Sequence, residues 1–373
     1  MNRELLSVIS HLPLLFVIGC LATTLAAAEP NPASALPPVV VEALKGADPA
    51  KVTKLDFSCR GIGDEDLAAL KPMTKLKELN LNATGISDAG LEHLKPLTQL
   101  QVLYLGGMNG SDSGLAHLKA FKKLLILNLD GTEVSDAGLV HLKTLTQLKE
   151  LVLAGTEVSD AGLEHLKTLT QLQKLNLACT QVSGAGLAHL KTLTQLQELS
   201  LLDTKVSGAG LVHLKTLTQL RKLYLNGTEV GDAGLAHLGL LAQLQVLSLE
   251  ETNVGDAGLK HLKPLTQLQK LWLYKTKVSD AGLEHLKPLT KLQWLFLDSA
   301  QVSDAGLAQL KSMRQLQLLD LSYTRVSDAG LEHLKTLTQL QKIWLAGTKV
   351  TESGASGLRK HLPKCVVDLY RTQ

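Results

Sequence analysis

A single 24-residue unit fills most of this chain. Thirteen copies follow one another from Lys51 to Leu362 without an insertion or deletion, and their consensus is Gln-Leu-Gln-x-Leu-x-Leu-x-x-Thr-x-Val-Ser-Asp-Ala-Gly-Leu-x-His-Leu-Lys-x-Leu-Thr. A fixed period of this length is typical of a solenoid, in which each repeat packs only on its two neighbours. The 373 residues are therefore predicted to form one elongated array rather than several globular domains. We number the positions of the unit from 1 to 24, with Lys51 at position 1.

The spacing of the apolar residues predicts a strand followed by a short helix in each repeat. In residues 123–146, the leucines at positions 2, 5 and 7 alternate with outward-facing residues, which is strand periodicity. The leucines at positions 17, 20 and 23 form one apolar stripe on a helix. Between these segments, Ser135 and Asp136 are candidate helix N-caps, because their side-chain oxygens can accept free backbone N–H groups.

The Leu-x-x-Leu-x-Leu core of residues 51–362 resembles the 24-residue arrays of bacterial secreted leucine-rich repeat proteins, and the ribonuclease-inhibitor-like class among them. The resemblance implies an α/β fold, a right-handed leucine-rich repeat solenoid (horseshoe) with a parallel β-sheet on the concave face and short helices on the convex face. It also implies ligand binding rather than catalysis, without naming a ligand. The sequence departs from the family at position 10, which usually holds Asn or Cys and here holds Thr in ten repeats. A hydroxyl can bond the turn backbone, although with fewer groups than an amide.

The two ends of the chain differ from the repeats. Residues 1–28 contain an apolar stretch that ends in three alanines, which predicts a cleaved secretory signal peptide. Two alternatives stay open, namely a bacterial lipobox with lipid attached at Cys20 and an uncleaved membrane anchor. All three place the repeats outside the cytoplasm, in the periplasm, at the cell surface or in secreted form. Residues 29–50 are predicted to be a Pro-rich linker and N-terminal cap, and residues 363–373 a closing cap strand.

Charge and cysteine content limit the partners of such an array. The formal net charge is +3 and no basic run occurs, so the electrostatic footprint of a nucleic-acid-binding protein is missing. Beyond the leader, Cys59 and Cys179 occupy the same position five repeats apart, and Cys365 lies near the C-terminus. Five strands at ~4.8 Å each separate the first two by about 24 Å, whereas a disulfide needs Cα atoms within about 7 Å. No internal disulfide is therefore predicted.

Histidine occupies position 19 in ten repeats, and in most of them Ser and Asp precede it by six and five residues. These residue types are those of a catalytic triad or a zinc site. However, an active site does not occur in ten copies, and the Ser-Asp pair already has a helix-capping role. We therefore expect a non-enzymatic protein without a metal or cofactor, with solvated or half-buried histidines on its helices.

Positions 4, 6, 8 and 9 of the unit are free to carry function, because the first three point away from the core and the fourth lies at the strand exit. Nine of the eleven aromatic residues beyond the leader fall at these positions, and most of them lie in the C-terminal third. The nine are Tyr104, Tyr224, Trp272, Tyr274, Trp294, Phe296, Tyr323, Trp344 and Tyr370. The exceptions, Phe57 and Phe121, occupy core leucine positions.

A patch of exposed rings usually marks an interaction site, and Trp and Tyr often dominate interface energetics. The sequence therefore predicts a protein or peptide ligand on the C-terminal concave face. The predicted binding residues are the rings Trp272, Tyr274, Trp294, Phe296, Tyr323 and Trp344 and the polar rim residues Lys270, Lys275, Asp298, Asp320 and Lys342.

Three alternatives to this interpretation stay open. The rings could stack only on each other and cover the sheet, since cross-strand aromatic pairs stabilise sheets. The ligand could be a carbohydrate or cell-wall polymer, because aromatic platforms stack on sugar rings. By analogy, the array could be a substrate receptor like the repeats of F-box ubiquitin ligases, although residues 29–50 are too short for an F-box-like segment and the leader argues against a cytosolic role.

The middle of the concave face follows a different pattern. At position 4, Glu150, Lys174, Glu198 and Lys222 alternate in sign along the array. Opposite charges on adjacent strands lie within ion-pair reach, so the pattern predicts a structural zipper rather than a ligand site.

Overall fold

The computed structural model describes residues 36–370 of the chain. The predicted signal peptide, the lipid-attachment alternative at Cys20 and the first part of the Pro-rich linker lie outside the described residues, as do residues 371–373. The described part is a solenoid of parallel strands joined by short helical segments.

One three-residue strand comes from each repeat, at positions 4 to 6, and one more from the segment after the last repeat. The strands form a single parallel sheet in sequence order, β1 to β14. The register is constant, because each strand residue pairs with the residue 24 positions later, as Leu271 does with Leu295. The strands are β1 Lys54–Asp56, β2 Glu78–Asn80, β3 Val102–Tyr104, β4 Ile126–Asn128, β5 Glu150–Val152, β6 Lys174–Asn176, β7 Glu198–Ser200, β8 Lys222–Tyr224, β9 Val246–Ser248, β10 Lys270–Trp272, β11 Trp294–Phe296, β12 Leu318–Asp320, β13 Lys342–Trp344 and β14 Val366–Asp368.

Most repeats return to the sheet through one turn of α-helix followed by a 3₁₀ turn. The leucines at positions 17, 20 and 23 recur every three residues, which fits the 3.0 residues per turn of a 3₁₀-helix. The α-helices are α1 Pro38–Leu44, α2 Asp88–His93, α3 Asp112–Leu115, α4 Asp136–Leu139, α5 Asp160–Leu163, α6 Asp232–Leu235, α7 Asp256–Leu259, α8 Asp280–Leu283, α9 Asp304–Leu307, α10 Asp328–Leu331 and α11 Glu352–His361. The 3₁₀ segments are Glu65–Leu70, Ala116–Ala120, Val140–Thr144, Glu164–Thr168, Gly186–Thr192, Gly208–Thr216, Ala236–Leu238, Lys260–Leu262, Glu284–Leu286, Ala308–Ser312 and Glu332–Leu334.

The repeated leucines form one continuous hydrophobic core between the sheet and the helical segments. Leu127 on β4 and Leu142 on the following 3₁₀ segment are fully buried, as are their equivalents in neighbouring repeats. Phe57 and Phe121 are also fully buried at core leucine positions, as predicted. Each buried leucine contributes about 2 kcal/mol of hydrophobic stabilisation, which is gained only when a neighbouring repeat covers it.

The threonines at position 10 satisfy the turn backbone from inside the array. Thr132 Oγ1 donates to the carbonyl of Leu129 at 2.7 Å, and all ten threonines make the same bond three residues back. This confirms that a hydroxyl at this position bonds the turn backbone.

A repeated hydrogen-bond clamp joins most convex segments to the next one. The Asp256 carboxylate accepts from the backbone N–H of Ser279 at 2.7 Å and from its hydroxyl at 2.5 Å. The Ser279 hydroxyl in turn accepts from Ala281 N–H and caps α8. Ser at position 13 is therefore a helix cap, as predicted, whereas the prediction for Asp at position 14 was wrong. The aspartate bonds the following repeat, because the backbone N–H and the hydroxyl group of that serine both donate hydrogen bonds to its carboxylate.

The clamp explains the glycine at position 16. A Cβ atom on Gly282 would overlap Asp256 Oδ1, so only glycine leaves room for the carboxylate of the preceding repeat. In the middle of the array, Gly184 and Gly208 replace the aspartate, and there the convex segments are 3₁₀ throughout. A Cβ atom on Gly210 would overlap Gly184 Cα, so backbone packs directly on backbone where the carboxylate is missing.

The chain leaves every strand through a residue in the left-handed backbone region. Position 9 has a positive φ in all thirteen repeats, for example +63° at Gly131 and +58° at Ser299. Glycine adopts this conformation without penalty, whereas other residues pay for it at about 1–2 kcal/mol. The constraint fixes the direction in which the concave face continues past the strand.

At the two ends, α1 buries Val40 and Leu44 against the core, and β14 follows α11 as the last strand described. Among the described residues, the thiols of Cys59, Cys179 and Cys365 are not joined in a disulfide.

Candidate functional site

Four rings from three strands meet on the concave face near the C-terminal end of the sheet. We call Trp272, Trp294, Phe296 and Trp344 the concave aromatic cluster. Trp272 lies edge-on to Trp294 with 6.3 Å between ring centroids, and it stacks on Phe296 at 5.8 Å with an interplanar angle of 17°. Phe296 in turn meets Trp344 at 6.0 Å and 33°. The constant register brings these rings together, because Trp272 and Phe296 are direct partners on adjacent strands.

The cluster is a second hydrophobic unit, separate from the leucine core on the other side of the sheet. Val246 and Leu318 complete its buried part, and Tyr224 packs against it from the N-terminal side. Trp272 and Trp294 are each only 6 % exposed, whereas Phe296 and Trp344 are half-buried. The two buried indoles therefore form the base of the patch, and Phe296 and Trp344 present most of the surface that a ligand could contact.

The three lysines predicted to belong to the polar rim lie against aromatic rings. Lys270 Nζ stands 3.4 Å from the centroid of Trp294, and Lys342 Nζ stands 4.6 Å from that of Trp344. Lys275 approaches the Tyr274 ring at 4.7 Å and forms an ion pair with Glu251 at 3.0 Å. Hydrogen bonds to Tyr274 and Glu251 raise the pKa of Lys275 above its ordinary value. Cation–π contacts of this kind contribute about 0.5–1 kcal/mol at exposed sites.

The two aspartates of the predicted rim are also drawn into the surface. Asp298 is 4 % exposed and Asp320 is 6 % exposed, and Asp320 lies on β12 between the strands that carry Phe296 and Trp344. Asp320 Oδ1 accepts from the backbone N–H of Ser322 at 2.9 Å. Asp320 is therefore part of the floor of the patch, and Asp298 is buried after the end of β11.

The tyrosines at the strand exits are more accessible. Tyr323 is 55 % exposed and adopts the left-handed conformation of position 9, with its ring over Gly347 of the next repeat. Tyr370, after β14, is 76 % exposed. Tyr323 thus extends the aromatic surface beyond the strand ends.

Glu250 was missed by the sequence analysis. It occupies position 8 of the ninth repeat, next to the N-terminal edge of the cluster, and accepts a hydrogen bond from Asn226 Nδ2 of the preceding repeat. Burial, with a further contribution from the charge of Glu251, raises its pKa to about 7, while the Asn226 bond acts in the opposite direction. The sequence signal was a glutamate at an outward strand position between Asn226 and Tyr274.

The histidines at position 19 are half-buried along the convex side. Burial, followed by the charges of nearby lysines, lowers the pKa of both His141 and His213. Within residues 36–370, no group of three or more His, Cys, Asp or Glu side chains is arranged to hold a metal ion. The same residues include no helix of the length and apolarity required to cross a bilayer.

Two of the ion pairs that the alternating charges predict form in the middle of the concave face. Lys174 pairs with Glu150 at 3.0 Å, and Lys222 pairs with Glu198 at 3.1 Å. Both lysines remain substantially exposed, so each ion pair contributes about 0–1 kcal/mol.

Comparison with known proteins supports the architecture. Residues 73–95 match a family described as leucine-rich repeat. The chain is similar in structure to an internalin from Listeria monocytogenes, with a TM-score of 0.60 and 22 % identity, over 90 % of this chain and 96 % of the internalin. The fold is a leucine-rich repeat solenoid. A leucine-rich repeat protein from Leptospira interrogans matches with a TM-score of 0.58 and 19 % identity, over 88 % of this chain and 98 % of that one.

A TDR receptor also shares the fold, with a TM-score of 0.58 and 18 % identity over 86 % of this leucine-rich repeat chain and 64 % of the receptor. No curated protein sequence matches the chain. At these identities the structural likeness extends to the fold alone. The likeness therefore identifies no ligand for this solenoid.

Proposed function

We propose that this leucine-rich repeat solenoid is a non-enzymatic scaffold that binds a protein or peptide outside the cytoplasm, on the concave face of its C-terminal repeats. Leucine-rich repeat folds generally serve as protein-binding scaffolds, and a concave sheet presents a rigid surface for a partner. The extracytoplasmic location rests on the predicted leader in residues 1–28.

One observation carries the proposal. Phe296 and Trp344 are half-buried on a floor of two buried indoles, near the C-terminal end of the concave face, where rings from several strands meet. Anchor residues of interfaces are typically aromatic, preorganised by their neighbours and placed near the centre of the contact. The stacking fixes the rings before a ligand arrives, which reduces the entropy lost on binding.

The alternative that the rings only stack on each other and cover the sheet is sufficient to explain the two buried indoles, Trp272 and Trp294. It does not account for Phe296 and Trp344, whose rings retain solvent-accessible surface, nor for Tyr323 at the strand exit, which is 55 % exposed. Exposed aromatic surface of this kind adds little to the stability of the fold and typically marks an interaction site.

A carbohydrate or cell-wall polymer is the second candidate ligand. The buried Asp320 lies between Phe296 and Trp344 in the strand register, and sugar-binding surfaces combine aromatic faces with hydrogen-bond acceptors for hydroxyl groups. We favour a protein or peptide, because the lysines over Trp294 and Trp344 narrow the ring faces available for stacking on a sugar.

The test is a capture experiment with the full chain as bait and envelope proteins of the source organism as prey, with a glycan array in parallel. The bait is used in three forms: unchanged, with Phe296→Ala and Trp344→Ala combined, and with Tyr104→Ala as the matched control. Tyr104 occupies the same repeat position as Phe296 on the distant strand β3. Retention of a protein by the unchanged and control baits but not by the double variant supports the proposal. Glycan binding without protein capture would favour the second candidate.

A further inference from the structure

A group of buried and half-buried polar side chains, which we call the polar recess, borders the concave aromatic cluster on its N-terminal side. Ser248 lies between Tyr224 and Trp272 in the strand register, with all three side chains at position 6. Glu250, two residues later on the same face, accepts from the side-chain amide of Asn226. Aromatic side chains thus flank a glutamate, an asparagine and a serine within two neighbouring repeats.

Two polar atoms of the recess lack a hydrogen-bond partner among the described residues. They are Ser248 Oγ, on a residue only 2 % exposed, and Asn226 Oδ1. The asparagine oxygen can only accept, and the serine oxygen can accept as well as donate. Buried polar groups in native proteins are normally satisfied, so both atoms are available to accept a hydrogen bond from a group bearing N–H donors.

The charges around the recess favour a cation. Glu251 follows Glu250 directly, and the Asp203 carboxylate lies across Gly227 toward them, where a Cβ atom on Gly227 would overlap it. Burial and the charge of Glu251 raise the pKa of Asp203. Lys275 from the following repeat pairs with Glu251 at 3.0 Å and so offsets one of the three carboxylates. Carboxylates that repel one another in a partly buried site are stabilised by a positive charge.

We infer that this recess binds an arginine side chain of the peptide or protein ligand, with Glu250 and Asn226 accepting from the guanidinium and the neighbouring rings stacking on its plane. The inference rests on the proposed function, because it assigns a basic residue to the segment that covers the cluster. A guanidinium carries five N–H donors in one plane and no acceptor, which matches a recess made of acceptors and aromatic faces. A metal ion fits less well, because within the described residues no group of three or more metal-binding side chains is assembled.

Binding of the guanidinium should depend on pH. Asn226 of the preceding repeat hydrogen-bonds Glu250, and Glu251 follows it on the chain. The other titratable or charged groups around it are Asp203, across Gly227, Tyr224 of the preceding repeat, and Tyr274 and Lys275 of the following repeat. Glu250 has a pKa of about 7, so an arginine binds best above this pH, where the carboxyl group is ionised. The bound guanidinium should in turn lower the pKa of Glu250, since each equilibrium shifts the other.

The experiment titrates N-acetylarginine amide into the full chain and follows it by two-dimensional amide NMR. We expect the amide signals of Asn226, Ser248 and Glu250 to shift. The affinity for N-acetylarginine amide should be about tenfold higher at about pH 8 than at about pH 6. Glu250→Gln keeps the shape of the side chain and removes its charge, so it should fold normally and weaken binding about tenfold or more. Asp130→Asn, at the same repeat position in the fourth repeat, should leave the affinity unchanged.

N-acetylcitrulline amide has the same shape without the charge and should not bind. Equal shifts with citrulline, or unchanged affinity in Glu250→Gln, would overturn the inference. The variant Phe296→Ala/Trp344→Ala separates it from the proposed function. If the double variant loses the captured partner but the unchanged chain does not respond to the arginine probe, the arginine site is overturned and the proposed function stands. Arginine binding without any ring-dependent partner overturns the proposed function and removes the role of the recess as a ligand anchor.

Discussion

The ring centroids of Phe296 and Trp344 lie 6.0 Å apart although a complete strand, β12, separates the strands that carry them. The strands are about 9.6 Å apart at ~4.8 Å per step, so both rings lean over Asp320 toward each other. Trp272 closes the row on the other side of Phe296. The concave aromatic cluster is therefore held together by its own packing, and this makes its contribution to stability measurable.

We expect Trp272→Ala to lower the free energy of unfolding by about 3 kcal/mol, since truncation of a buried indole leaves a cavity between Trp294 and Phe296. Tyr104→Ala, at the same position without a ring on a neighbouring strand, should cost clearly less. Urea unfolding of both variants checks this. A cost below about 1 kcal/mol for Trp272→Ala would mean that the cluster is not a packed unit.

The clamp between convex segments predicts coupled mutations. Asp256→Ala removes two charge-assisted hydrogen bonds to Ser279 and should cost about 2 kcal/mol. Gly282→Ala should also destabilise, because its Cβ atom overlaps the same carboxylate. In the double variant the overlap is relieved. Its loss of unfolding free energy should therefore be about 1 kcal/mol smaller than the sum of the losses in the two single variants. Strict additivity in denaturant unfolding would argue against the contact.

The left-handed strand exits predict opposite effects for two simple substitutions. Ser299→Gly should stabilise the chain by about 1 kcal/mol, because serine holds a positive φ there at a cost that glycine avoids. Gly131→Ala should destabilise it by a similar amount, although a Cβ atom at this position meets nothing within 4 Å. Thermal unfolding of both variants tests whether conformation alone sets the sign. A stabilised Gly131→Ala would contradict it.

Glu250 predicts a pH-dependent stability. Its pKa is raised from 4.5 to about 7 in the folded state, so folding favours the protonated form. The resulting stabilisation is complete below about pH 4.5 and is lost as the pH rises through about 7, with an upper bound of about 3 kcal/mol that partial solvent access reduces. The difference in unfolding free energy between wild type and Glu250→Gln isolates this effect from the histidines. A difference independent of pH would contradict it.

The 24-residue period was sufficient to predict the strand register, the core leucines and the outward positions, because each repeat meets the same two neighbours. It also placed Lys174 opposite Glu150. It did not reveal the bond from Asp256 to Ser279, since a local cap explained both residues without reference to the next repeat. The three-residue leucine spacing predicted a short helix on the convex side, but the sequence analysis did not distinguish 3₁₀ from α geometry.

The repeat pattern did not predict the side-chain conformations on the concave face. The sequence placed Trp272 and Trp294 on this face but not their burial, which depends on how the rings turn toward each other. It assigned Lys270 to a polar rim, whereas the lysine lies over an indole. Glu250 received no role, because its raised pKa comes from burial by neighbouring repeats and not from its position in the repeat.

The most direct test compares the affinity of the captured partner for the unchanged chain and for Phe296→Ala/Trp344→Ala, with Tyr104→Ala as the control. The affinities are measured by surface-based binding kinetics. Circular dichroism first shows that each protein is folded. Loss of two interface anchors should weaken binding by about 30-fold or more, mainly through faster dissociation, and the control should match the unchanged chain. Equal affinity of the folded double variant and the unchanged chain would contradict the proposal that the C-terminal concave face binds the ligand.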